Sequence, residues 1–297
     1  MAKQGDPIDG VMMLDKPLGM SSNAALQTVR RLVNAQKAGH TGTLDPLATG
    51  LLPLCFGNAT KFSADLLHAK KGYSARVKLG VVTTTGDAEG DIVEEHPVNV
   101  TEEEVRAACK RFLGEIEQIP PMYSALKRNG QCLYELARQG ETVEREPRRV
   151  TIEEISMRDF DGESFTIDCL VSKGTYIRVL GEDIGRALGC GAHLSALRRT
   201  RVGDLTLDNA VSLIDLEKAD SIEAARAKLL GADSLLSTFP RVDLNDGETS
   251  RFMNGQRLAM GLDLRGRVRV YGPNQTLLGT AQVNDRGVLE PERLIAH

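Results

Sequence analysis

Residues 73–79, YSARVKL, put Tyr73, Ala75, Val77 and Leu79 on one side of the chain and Ser74, Arg76 and Lys78 on the other. A period of two fits a pleated strand with one covered face, so this stretch commits the chain to a half-buried sheet. The same alternation recurs at Phe165, Ile167, Cys169 and Val171, and residues 151–157 read as a further strand. Helical spacing interrupts these runs. Leu26, Val29, Leu32 and Val33 follow the capping candidates Ser21, Ser22 and Asn23. Thr101 and Glu104 form a capping box ahead of Val105, Ala108, Cys109 and Phe112. Val179, Leu180, Ile184 and Leu188 make a helix stopped by Gly189 and Gly191. At 297 residues the chain suits one large domain, or a large and a small one. After about residue 237, Pro240 and Asn245-Asp246-Gly247 suggest a boundary. Beyond it lie eight arginines, no lysine and seven acids around short strand-like runs, a small β-rich appendage.

Several function classes drop out. No apolar run approaches the length of a membrane span, and the start of the chain has no signal-peptide core, so a cytoplasmic protein is expected. The five cysteines (55, 109, 132, 169 and 190) are scattered, form no CxxC pair and read as reduced, mostly buried thiols. The histidines (40, 68, 96, 193 and 297) form no zinc motif. No GxSxG elbow, GK[ST] phosphate loop or helix-opening GxGxxG is present. The polar turn carrying Asp87, Glu89 and Asp91 fails as a calcium loop, with Ile92 where Gly is needed and Val98 where Glu is needed. No metal and no cofactor are therefore expected. A net charge of −4 argues mildly against generic polyanion binding. Four basic clusters qualify that: Lys70-Lys71, Arg145 with Arg148-Arg149, Arg198-Arg199 with Arg201, and Arg265, Arg267 and Arg269. Each reads as a solvated face or as a phosphate contact.

Residues 39–50, GHTGTLDPLATG, crowd glycines, Pro46 and His40 around the single carboxylate of Asp45. Pro46 pushes the residue before it out of helical geometry, so Asp45 should sit on a stiff loop between a helix and the apolar run 51–56. A surface turn with an Asx bond explains that pattern as readily as a reactive group does. Tyr73 reads as an edge aromatic of the core, and Arg178, at a strand-to-helix junction, as one half of an ion pair, structural or functional. An aspartate that stays ionised can act as a covalent nucleophile, and an adjacent arginine favours the charged form.

GHTGTLDPLATGLLP, together with LDKPLGMSS, KGYSARVKLG, PPMYSALKRNGQCLYELARQG and SKGTYIRVLGEDIG, resembles the bacterial TruB family of tRNA pseudouridine synthases over nearly the whole chain. The resemblance implies an α+β fold: a large mixed, mainly antiparallel sheet flanked by helices over residues 8–237, and a small β-rich PUA-like domain over 238–297. Residues 124–149 would be a thumb-like RNA-contacting insertion. It implies isomerisation of the T-loop uridine, U55, without a cofactor. Asp45 would be the nucleophile, Tyr73 the stacking tyrosine and a candidate for taking the C5 proton, and Arg178 the partner of Asp45. Tyr176 and Leu197 would line the uracil pocket, and His40 would enter the T loop as the base leaves. Lys16 and Lys61 are either phosphate contacts or plain surface lysines. The implied partner is the T arm of tRNA, with no DNA, no membrane and no guide RNA, and the protein is expected to be a monomer. Two other classes compete: a synthase subunit that needs a guide RNA, and an RNA-binding or RNA-folding protein without chemistry.

Overall fold

The computed structural model describes residues 5–128 and 130–295; the chain ends, including His297, and Asn129 of the expected thumb lie outside the described residues. The chain begins with β1 (Gly10–Lys16), α1 (Ser22–Leu32), β2 (Ala38–His40), β3 (Ala48–Phe56), α2 (Ser63–Leu67) and β4 (Lys71–Leu79). A hairpin of β5 (Val81–Thr83) and β6 (Ile92–Glu95) leads to α3 (Glu102–Lys110) and β7 (Gly114–Gln118). Then come β8 (Lys127–Arg128), β9 (Gln131–Cys132), α4 (Leu133–Arg138), β10 (Arg148–Arg158), β11 (Ser164–Val171), α5 (Ile177–Ala187) and β12 (Ala192–Val202). Short elements β13 (Leu205–Thr206), β14 (Val211–Ser212), α6 (Leu213–Glu217) and α7 (Ile222–Arg226) complete this part.

The large sheet runs β14-β1-β3-β12-β4-β11-β10-β7, with β2 added to β3 and β13 to β12. Only β1 with β14 and β3 with β12 pair in parallel; the other pairs of this sheet are antiparallel. The alternation in β4 does what its pattern requires. Ala75, Val77 and Leu79 join Phe165, Ile167 and Leu194 in a core roofed by Leu26 and Val29 of α1, Val105 of α3 and Leu180 and Ile184 of α5. Strand β3 lacks alternation because both its faces are covered: Leu52 and Leu54 belong to that core, while Leu51 and Cys55 pack on the other side with Phe62, Leu66, Leu236 and Ile295. Each fully buried leucine there is worth about 1.5–3 kcal/mol.

The second sheet, β15 (Arg241–Asp243), β17 (Gly266–Tyr271), β18 (Leu277–Val283), β19 (Val288–Leu294) and β16 (Leu258–Ala259), has its own core with Phe252 of α8 (Asp246–Met253). The result is an α+β fold with a separate β-rich C-terminal domain. Residues 124–128 and 130–138 fold as a small ribbon and helix on buried Leu133 and Leu136, through Leu133 N–H to the Leu126 carbonyl at 2.7 Å and Tyr134 N–H to the Ser124 carbonyl at 3.1 Å.

The basic clusters are dispersed by the strands that carry them. Arg198 pairs with Asp15 at 2.7 Å, whereas its neighbour Arg199 turns inward and is 1% exposed. Lys71 is buried, and Arg267 pairs with Asp65 of α2. Gly50 is essential to this arrangement. At φ +98° a Cβ on it would lie 2.2 Å from the Arg199 carbonyl oxygen, a backbone atom that cannot move aside. Gly50→Ala should therefore destabilise the protein by roughly 3 kcal/mol or more, read as a fall in the urea midpoint. An unchanged midpoint would refute this close approach.

Candidate active site

The loop between β2 and β3 is pinned from three sides. Ser22, on the first turn of α1, donates its hydroxyl to the Leu44 carbonyl (2.9 Å) and accepts from the Leu44 N–H (2.7 Å). One side chain thus satisfies both backbone groups of the residue before Asp45. Gly19 N–H bonds the Pro46 carbonyl at 2.8 Å, and Ala48 N–H closes the turn on the Asp45 carbonyl at 3.0 Å. From below, Arg199 donates to the carbonyls of Leu51 (2.8 Å), Gly42 (3.2 Å) and Thr43 (3.3 Å). The Asp45 side chain is 40% exposed, so a rigid loop presents a reachable carboxylate.

Its partner is Arg178, the second residue of α5 and 4% exposed. Nη2 lies 3.0 Å from Asp45 Oδ2 and donates to the Tyr123 carbonyl at 2.6 Å; Nη1 donates to the Thr85 carbonyl at 2.8 Å. Nε faces Asp87 Oδ2 at 3.6 Å. Asp87 is itself buried, and its Oδ1 accepts from the Thr85 hydroxyl (2.5 Å) and the Glu89 N–H (3.0 Å). The polar turn after β5 is therefore the seat of the second carboxylate on Arg178.

Two adjoining cavities meet at Asp45. The smaller, about 230 Å³, is lined by Tyr73, Tyr176, Leu197, Leu67, Lys71 and Arg199 among others; the larger, about 550 Å³, by His40, Glu89, Tyr123, Tyr134 and Arg138 among others. Asp45, Arg178, Thr43, Leu44, Ser124 and Ala125 line both. Tyr176 is fixed at the start of α5 by Gln118, whose side chain accepts from its N–H (3.0 Å) and donates to its carbonyl (3.2 Å). The Arg148 guanidinium lies over the Tyr176 ring, 5.8 Å from its centre. Burial pushes the Tyr73 phenol above its ordinary value, partly opposed by Arg199 beside it. Burial, and then Arg199, push His40 down, so its imidazole is neutral at pH 7.

Thus Asp45, Arg178, Tyr73, Tyr176 and Leu197 converge on one cavity, and His40 lines the cavity next to it. The two lysines are neither surface lysines free to meet a phosphate nor part of the cavity walls. Lys16 is fully buried, donates to the carbonyls of Met20 (2.6 Å) and Pro17 (2.8 Å), and is pushed down to about 8 by burial, against the pull of Asp45 and Glu89. Lys61 donates to the Leu294 carbonyl of the C-terminal domain at 2.8 Å. Neither lines the two cavities. Asp87, Arg199 and Gln118 escaped the sequence reading; only the odd density of acids at 87–91 and the arginine pair 198–199 hinted at the first two.

Chemically, the smaller cavity is a slot with aromatic and aliphatic walls from Tyr73, Tyr176, Leu67 and Leu197 beside the cations Lys71, Arg178 and Arg199, and Asp45 is the one carboxylate among the described residues that line it. That suits a planar heterocycle attacked or steadied at its edge. Removing Arg178 would strand Asp87 as a buried, unpaired charge. Arg178→Met should cost about 3–5 kcal/mol in denaturant unfolding, and adding Asp87→Asn should recover part of it. Strict additivity of the two substitutions would count against the pairing.

Family models match almost end to end: "TruB family pseudouridylate synthase (N terminal domain)" over residues 30–177, "tRNA pseudouridylate synthase B C-terminal domain" over 178–237 and "Pseudouridine synthase II TruB, C-terminal" over 240–295. The tRNA pseudouridine synthase B of Dechloromonas aromatica is 56% identical over 97% of this chain and 96% of its own. That of Ralstonia nicotianae is 58% identical over 97% and 94%. Among solved structures, a chain of a Cbf5-Nop10-Gar1 complex superposes with a TM-score of 0.73 at 27% identity, covering 96% of this chain and 84% of that one. A chain of an H/ACA RNP bound to a substrate RNA containing 2'-deoxyuridine gives 0.74 at 25%, covering 100% and 91%. With family models over residues 30–237 and 240–295 and relatives more than half identical over 97% of its length, the chain belongs to the TruB family of pseudouridylate synthases.

Proposed function

We propose that this chain is a tRNA pseudouridine synthase, an isomerase that converts the T-loop uridine U55 to pseudouridine with Asp45 as nucleophile. The observation that carries the reading is the half-exposed Asp45 carboxylate, 3.0 Å from buried Arg178 and on the wall of a slot lined by Tyr73, Tyr176 and Leu197. The names of relatives more than half identical over nearly their whole length support tRNA as substrate.

The target base must leave its loop, which costs a few kcal/mol, and stacking on one aromatic returns roughly 1–3 kcal/mol. Tyr73, which lines the smaller cavity, would supply that stacking, and neutral His40, which lines the larger one, would fill the vacated position without carrying a charge into the base stack. Asp45 forms a transient bond to the nucleotide, the N1–C1' bond breaks, the uracil turns, and a C5–C1' bond forms; the bond to Asp45 then breaks to restore the carboxylate, and the C5 proton lost is matched by one gained at N1, so the product is an isomer of the substrate. A buried phenol held in its protonated form accepts the C5 proton only as it gives up its own, so stacking is the better-supported role for Tyr73. Residues 124–149 border the larger cavity with Tyr134 and Arg138 and would close over the T arm. The C-terminal sheet, read as a PUA-like domain, would meet the RNA outside the loop.

Activity without a guide RNA, as a cytoplasmic monomer, completes the proposal. No helix among the described residues is long and apolar enough to cross a membrane. Conversion of a bare tRNA transcript by the isolated protein checks independence from a guide. Asp45→Asn should lower tritium release from 5-labelled uridine in unmodified tRNA by more than about a thousandfold, with RNA binding nearly intact. Pseudouridine made by that variant would remove Asp45 from the mechanism, and loss of binding alone would favour a carrier of RNA over an enzyme.

A further inference from the structure

Helix α2 touches both the C-terminal domain and the smaller cavity. Asp65, its third residue, has a side chain only 9% exposed and pairs with Arg267 of β17 through Oδ1 and with Arg293 of β19 through Oδ2 at 3.5 Å. Arg267 also meets Glu292 at 2.6 Å and lies over the Phe239 ring. Two further bonds cross the same seam: Arg293 to the Lys61 carbonyl (2.7 Å) and Lys61 to the Leu294 carbonyl (2.8 Å). The next residue, Leu66, is buried in the core shared with Ile295. The one after, Leu67, is 46% exposed and lines the smaller cavity. The end of the helix is held by Lys71, two residues before Tyr73, whose ammonium donates to the carbonyls of Ala69 (2.7 Å), Leu67 (3.1 Å) and Leu66 (3.3 Å).

We propose that Asp65 is a positioning residue: its ionic joint to Arg267 and Arg293 lets the C-terminal domain fix α2, and through it the Leu67 wall of the base slot. The inference rests on the function proposed above. Residues 65, 66 and 67 share one helical turn, so a shift at the joint is transmitted to the wall. An ångström of misplacement at a reacting base can cost up to about a hundredfold in rate. The C-terminal domain would then contribute to turnover on an RNA too short to reach it.

The test uses a T-arm stem-loop RNA and full tRNA with the complete protein. Asp65→Asn leaves Arg267 on Glu292 and Arg293 on the Lys61 carbonyl, so no cation is stranded and folding should survive. On the stem-loop, Asp65→Asn and Arg267→Gln should lower kcat about tenfold or more with KM little changed, while the melting transition stays cooperative. Leu67→Ala acts on the wall without touching the joint and should lower kcat in the same way. Should one joint variant fail to fold, the other decides, and an unchanged kcat for Leu67→Ala would itself overturn the proposal, because the wall would then not matter. A stem-loop kcat within about twofold of the parent, or a loss confined to binding of full tRNA, overturns the joint and leaves the functional reading standing. A parent protein inert on both RNAs overturns that reading and the joint with it.

Discussion

A guanidinium taken out of water has to be neutralised and hydrogen-bonded where it lies, and Arg178 meets that demand with partners from three remote segments. Asp45 comes from the β2–β3 loop, Thr85 and Asp87 from the turn after β5, and Tyr123 from the start of the excursion beyond β7. Leaving a charge of this kind unpaired costs several kcal/mol, more than any single loop contact supplies. The arginine therefore fixes where three otherwise independent loops meet. The cavity walls follow from that meeting, since the segments that satisfy Arg178 also border the space around Asp45.

Beneath the site, cations are seated on carbonyl oxygens. Lys16 rests on Pro17 and Met20, Arg199 on Leu51, Gly42 and Thr43, and Lys71 on Leu66, Leu67 and Ala69. Carbonyl dipoles stabilise each charge without cancelling it, so cations gather locally although the chain as a whole carries −4. This shows why net charge was a poor guide. The charges nearest the slot are buried, while many of the surface arginines are paired with acids.

What could be read from the sequence was local. The alternation of β4, the capping box of α3 and the sharp turn at Asp45-Pro46 depend on neighbours a few residues away, and each lies in the structure as its pattern dictates. Asp87 could not be read this way. Its importance depends on Arg178, ninety-one positions later, and on a bridge between Asp87 and Leu194 that seats the turn against β12. Arg198 and Arg199 make the same point from within one strand. Adjacent in sequence, they face opposite sides of the sheet, so one meets Asp15 and the other supports the loop. Lys61 reads from the sequence as a phosphate contact or a plain surface lysine because its acceptor, Leu294, is supplied by the far end of the chain.

Stiffness and access make opposite demands on such a site, and the fold assigns them to different elements. The Asp45 loop cannot shift without breaking the Ser22 and Arg199 contacts, so its carboxylate is held in a fixed place. A nucleotide still has to enter. The opposite rim, residues 124–149, is held by a two-residue ribbon, the buried pair Leu133 and Leu136, and few other buried groups. Segments with so little buried surface open at low free-energy cost. Because Tyr123 stays bonded to Arg178 at the base of this excursion, opening can begin beyond that carbonyl and leave the pair with Asp45 intact. The same arginine that holds Asp45 therefore marks where the rigid part of the site ends.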